Sequence, residues 1–177
     1  AVQSTSDSGK ITFYPIQDTT IAARTANSGW RLNLDLSSNS SFDRTSAIGR
    51  CDACEENVDM NDMLLLPSLT QRVYISLDIS DDGQFDHSKD LRSTSEFNGV
   101  WNMRVNRPNA ERSLTLKGAY ENDRPNDLVL MIVNVSTREV LKNFPVESFE
   151  LSNMNSEFND FKIVAGEETY VLSMVDE

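Results

Sequence analysis

The residues best suited to chemistry form an acidic run, Asp78-Ile79-Ser80-Asp81-Asp82-Gly83-Gln84-Phe85-Asp86, in which oxygen-bearing side chains recur at alternate positions before a glycine. Calcium, a hard cation, takes roughly six to eight oxygen ligands, and this spacing directs Asp78, Ser80 and Asp82 to one centre, with the Gln84 carbonyl and Asp86 next. Lys89 stands where a bidentate glutamate would close an EF-hand, and Asp90 lies one place beyond. Without flanking helices the candidate is an acidic calcium loop outside the EF-hand framework, with Asp90 as a further ligand. The plainer reading is a solvated Asp-Gly turn between strands.

Cys51-Asp52-Ala53-Cys54 is the only cysteine pair. Its spacing suits a redox couple, half of a zinc site or a short-loop disulfide. Zinc needs four ligands, and with His87 as the single histidine it would have to recruit carboxylates. No βαβ pattern surrounds the pair to support a thioredoxin-type role. His87 sits in the acidic turn and reads as a solvated loop residue, so a nucleophile activated by a histidine base is not assembled. Carboxylate pairs for glycoside chemistry exist among the 28 acids, but sequence does not set their separation. Trp30 and Trp101 lie in apolar alternation and read as core anchors rather than sugar-stacking platforms. Asn39-Ser40-Ser41 and Asn134-Val135-Ser136 match the glycosylation pattern, which matters only in a eukaryotic secretory product.

These residues need a frame, and the apolar residues supply a β pattern. In Trp30-Arg31-Leu32-Asn33-Leu34-Asp35-Leu36 every second residue is apolar, the mark of a strand with one face on a core. Strands are predicted at Ile11–Tyr14, Trp30–Leu36, Arg72–Asp78, Val100–Val105, Ser113–Lys117, Leu128–Asn134, Glu139–Lys142, Ser148–Leu151, Phe161–Val164 and Thr169–Ser173. Residues 59–66 suggest one helical turn. Two polar stretches, Ser37–Pro67 and Ile79–Asn98, read as long loops, and loops of such length are usually functional or tied down internally. The expected fold is all-β, an antiparallel β-sandwich of Ig-like or jelly-roll-like form with two long polar loops, the runner-up being a closed barrel. Residues 1–9 read as a flexible lead-in and 10–177 as a single domain.

Several landmarks follow one another in a familiar order: Gly29-Trp30-Arg31-Leu32, Ile48-Gly49, Ala53, Asp59-Met60-Asn61-Asp62 leading to Pro67, Arg72-Val73-Tyr74-Ile75, Asp90-Leu91-Arg92, Val100-Trp101-Asn102-Met103-Arg104-Val105, Leu114-Thr115-Leu116 and Phe161-Lys162-Ile163-Val164-Ala165-Gly166. The order resembles the β-sandwich module of secreted and surface proteins of Bacteroidetes-like bacteria, found upstream of a type IX secretion sorting domain. The acid-acid segment of that module normally runs into a double proline, where this chain has Pro67 alone. The resemblance implies a secreted or cell-surface bacterial location, a disulfide between Cys51 and Cys54, and an accessory, non-catalytic role. It also reassigns Asp90 and Arg92, an Asp-x-Arg ahead of the Trp101 strand, to a structural role, with Arg92 expected to pair with Asp59 or Asp62; Trp30 and Trp101 join these four as the structural residues.

Composition narrows the partners. Sixteen Lys and Arg against 28 Asp and Glu leave a net charge of −12, which repels phosphate backbones and anionic membranes. No apolar run is long enough to span a bilayer. The expected function is a spacing, structural or adhesive module, with calcium as the one cofactor in view. Its partners would be other domains of a surface protein or copies of itself. The alternatives are a subunit of a filament, sheath or tube that exchanges strands, and a carbohydrate-binding module or carbohydrate-active enzyme.

Overall fold

A computed structural model of the chain describes residues 29–65, 72–107, 113–121, 124–142, 144–146, 148–152 and 157–175. The expected strand at Ile11–Tyr14, the lead-in 1–9 and Pro67 lie outside the described residues. Those described form β1 (Trp30–Ser37), β2 (Phe42–Cys51), β3 (Met63–Leu64), β4 (Tyr74–Asp78), β5 (His87–Ser93), β6 (Gly99–Asn106), β7 (Ser113–Tyr120), β8 (Val129–Asn134), β9 (Val140–Leu141), β10 (Phe149–Ser152), β11 (Phe158–Gly166) and one helix, α1 (Glu168–Val175). The all-β class holds.

One hydrogen-bonded sheet joins all the strands in the order β10-β7-β1-β2-β5-β4-β6-β11-β8-β9, with β3 attached to β5. It is mixed rather than wholly antiparallel, because β2 and β5 run parallel from Ala47↔Lys89 to Cys51↔Ser93. The sheet wraps round a single core in which Leu32, Leu34 and Leu36 of β1 join Ile75 and Leu77 of β4, Trp101 and Met103 of β6, Leu116 of β7, and Phe161 and Ile163 of β11. Fully burying an aliphatic side chain contributes about 1.5–3 kcal/mol, so this cluster is the main source of stability. The two ends of the path nearly meet. Between β9 and β10, Phe144 enters the core at 3% exposure and stacks near Phe149, at 6.1 Å. Gly118 of β7 accommodates that crossing, since a Cβ there would stand 2.6 Å from Pro145 Cβ.

Both stretches expected to be loops hold strands: β2 and β3 lie within Ser37–Pro67, and β5 within Ile79–Asn98. Residues 59–62 turn and lead into β3 rather than forming a helical turn. The expected strand Thr169–Ser173 is the middle of α1. Val171, Met174 and Val175 fall at i, i+3 and i+4 and pack with Met131 and Val164 on the outer face of β8 and β11. Helical spacing serves that burial, whereas the local run of Thr, Tyr and Val reads as strand.

The first half of β2 meets β4 through side chains. Asp43, 5% exposed, accepts hydrogen bonds from Thr45 N, Thr45 Oγ1, Ser46 Oγ and, across the gap, Ile75 N at 2.9 Å. Ser41 Oγ accepts from Val73 N. These polar side chains supply the partners that a neighbouring strand's backbone would otherwise provide.

Candidate functional site

β4 carries Asp78 to the start of the acidic turn. Its side chain is 3% exposed; Oδ2 accepts the Gly83 N–H at 2.9 Å, while Oδ1 is buried and has no hydrogen-bond partner. Asp81 at φ 55° and Gly83 at φ 82° take left-handed conformations that curl the backbone back toward Asp78. Asp82 Oδ1 accepts from Gln84 N, Asp81 Oδ1 from Asn102 Nδ2, and Asp86 Oδ1 lies 2.6 Å from His87 Nδ1. Ser80, Asp82, Gln84 and Asp86 are exposed. Among the described residues no three His, Cys, Asp or Glu side chains converge as they stand.

Asp90 is engaged elsewhere. It is 1% exposed on β5 and accepts from Arg92 Nε and Nη2 at 2.9–3.2 Å. Residues 90 and 92 leave the strand on one face, so the pair forms across a single alternation. Burial raises the Asp90 carboxyl above its ordinary pKa, and the Arg92 guanidinium offsets part of that rise. The expected pairing of Arg92 with Asp59 or Asp62 is thus replaced by a pairing with Asp90. Asp62 instead accepts the backbone N–H groups of Leu91 and Asp59, and Asp59 accepts those of Glu55 and Asn61. The acid-acid segment clamps the turn before β3 onto β5 through the backbone. Burial also raises the Asp62 carboxyl, against those backbone bonds that favour its charged form.

Arg92 belongs to a larger cluster. Its guanidinium lies 5.0 Å from the Trp101 ring and that of Arg50 lies 5.6 Å away, both within cation–π range. Trp30 meets Trp101 edge-on at 5.6 Å. With 3% and 0% exposure the two tryptophans are core anchors, as their alternation implies. Arg50 also donates to Glu56 Oε1, Ser93 O and Asn98 O, tying three chain segments together. Sequence reasoning missed Arg50 and Asp43. A lone arginine beside Ala47-Ile48-Gly49 was the available signal for the first, and nothing marks the second.

Cys51 and Cys54 are joined as a disulfide that pinches the turn after β2, with a Cα–Cα distance of 5.3 Å. His87 is buried in β5 at 7% exposure rather than solvated. It borders a cavity of about 530 Å³ beside β3, lined by Thr45, Val58, Met63, Leu64 and Ser88 among others. On the outer face of β6, Arg104 pairs with Asp160 at 2.7 and 2.9 Å and lies 4.0 Å from the Phe85 ring and 5.4 Å from that of Phe158.

The chain matches no protein-family model, no curated protein and no solved structure. Among the described residues no helix is long and apolar enough to cross a membrane.

Proposed function

We propose that this chain is a non-catalytic, extracellular β module with a structural role, its sheet folded across one core in sandwich fashion, which spaces or attaches a larger surface protein. The observation that supports this best is the inward use of its marked polar residues. Asp59 and Asp62 bond the backbone, Asp90 bonds Arg92, and Arg50 ties Glu56, Ser93 and Asn98 together. Such residues stabilise a scaffold. The disulfide suits an oxidising compartment, and the order of sequence landmarks favours a bacterial surface protein whose other domains are the partners.

The filament reading requires an open strand edge. Among the described residues the sheet path ends in β9 and β10, two and four residues long, and edges that short resist pairing with another chain. The carbohydrate reading loses both tryptophans to the core. Light scattering on the purified chain in chelator tests the proposal: a single-chain mass is expected, and fibres or large particles would overturn the passive module in favour of self-assembly.

A further inference from the structure

The cavity of about 530 Å³ beside β3 is walled by Val58, Met63, Leu64 and Leu65, of which Val58, Met63 and Leu64 are 48%, 38% and 63% exposed. Large apolar side chains gathered round a hollow are costly to leave in water and mark a surface that another group covers. Two carboxylates, those of Asp59 and Asp62, and one guanidinium, that of Arg72, also line it, so its charge tips negative. The chain carries a matching stretch. Within residues 1–28, Ile11-Thr12-Phe13-Tyr14-Pro15-Ile16 is the one run that includes aromatic side chains, and Lys10 precedes it. The tether to that stretch begins close by. Gly29 abuts the end of β2, since a Cβ there would stand 1.8 Å from Arg50 O and 2.8 Å from Cys51 Cα. The turn that starts at Cys51 carries Val58, Asp59 and Asp62 to the cavity. Thr45, which also lines it, lies six positions back along β2 from Cys51, about 20 Å at strand spacing. The thirteen steps from Ile16 to Gly29 span about 40 Å when extended, twice that distance.

We propose that residues 10–16 of this chain seat on the cavity in extended form, with Ile11 and Phe13 against its apolar wall and Lys10 beside Asp59 and Asp62. In an extended chain Ile11 and Phe13 leave on one face, so a single pass delivers both. The long, flexible stem of Lys10 lets its charge reach the acids whichever way its own Cα–Cβ bond points. Because the segment belongs to the same chain, its effective concentration at the cavity is about millimolar, which favours it over a free partner. This inference does not depend on the structural-module reading, since a cavity covered from within the chain leaves the solution mass unchanged.

His87 lines the cavity and is the only histidine of the chain, so its imidazole resonances report on this place alone. The test compares the full chain with Phe13→Ala and Ile11→Ala by NMR and by the fluorescence of Nile red, a neutral dye for apolar surface that suits a chain of net charge −12. Phe13→Ala is expected to move the His87 resonances by removing an aromatic ring beside them. Both variants should raise dye fluorescence by about twofold or more as Val58, Met63 and Leu64 are uncovered. Dilution of the unsubstituted chain by about tenfold should leave the His87 resonances in place, as a contact within one chain requires. Leu64 is exposed, so Leu64→Asp probes the other side of the contact without touching the core, and in that background Phe13→Ala should have no further effect. The proposal is overturned if resonances and fluorescence both stay within error in Phe13→Ala and Ile11→Ala, or if Phe13→Ala keeps its full effect beside Leu64→Asp. Resonances that move on dilution would overturn it too, and would assign the cavity to a second copy of the chain.

Discussion

At the scale of single residues, the centre of the molecule is an ion pair set against an aromatic ring. Asp90 and Arg92 are 1% and 13% exposed at the side chain, and Arg92 also covers Trp101. Removing one member of a buried pair strands the other's charge, at a cost of about 3–5 kcal/mol. Arg92→Ala should therefore lower the melting temperature by about 10 °C or more, read by calorimetry. An unchanged melting temperature would make a structural role for Arg92 untenable. Sequence exposed the Asp-x-Arg pattern but not the pairing, because one alternation on a strand brings its own acid closer than the acids of a distant turn. For the acidic turn, sequence supplied Asp78 to Asp86 as a set, while only coordinates separate Asp90 from it.

At the scale of elements, β2 is the joint between the two halves of the sheet. Its first half touches β4 chiefly through Asp43, whose carboxylate serves four donors. Asp43→Ala should orphan the buried Ile75 N–H as well as the Thr45 and Ser46 donors. The expected loss is at least about 1–3 kcal/mol, measured as a shift of the denaturant midpoint, with Asp43→Asn milder because one oxygen remains. A midpoint within error of the unsubstituted chain would mean that backbone pairing alone holds the joint. The same polar chemistry explains why β2 and β5 were illegible in the sequence. Asp43, Ser46 and Arg50, and His87, Ser88 and Asp90, occupy buried positions where hydrophobic alternation looks for Leu or Val. Strands that bury apolar residues, such as β1 with its four alternate core residues, were legible nearly to their ends. α1 was misread for the opposite reason, since its local composition favours a strand and only packing on Met131 and Val164 makes it a helix.

At the scale of the whole molecule, charge and fold pull against each other. Net charge is −12 at neutral pH, so the compact state confines a large negative excess that the unfolded chain disperses. Asp62 and Asp90 add to this, because burial raises both carboxyls above 3.8. A carboxyl with a raised folded pKa binds its proton more tightly in the folded state. Its favourable contribution is complete below the unfolded value and is lost as pH rises through the folded one. Both effects have the same sign. In chelator at low ionic strength, the melting temperature should rise between about pH 7.5 and about pH 5. Adding about 0.5 M salt should remove the repulsive part and leave the share due to the two buried acids. Asp62→Asn should reduce that remainder, its deficit against the unsubstituted chain being widest at the acid end of the range. A melting temperature that falls steadily from neutrality toward pH 5 would show that carboxylates stabilised as anions outweigh Asp62 and Asp90. The hydrogen bonds of Leu91 and Asp59 to Asp62, and of Arg92 to Asp90, would then count for more than the burial that opposes their charge.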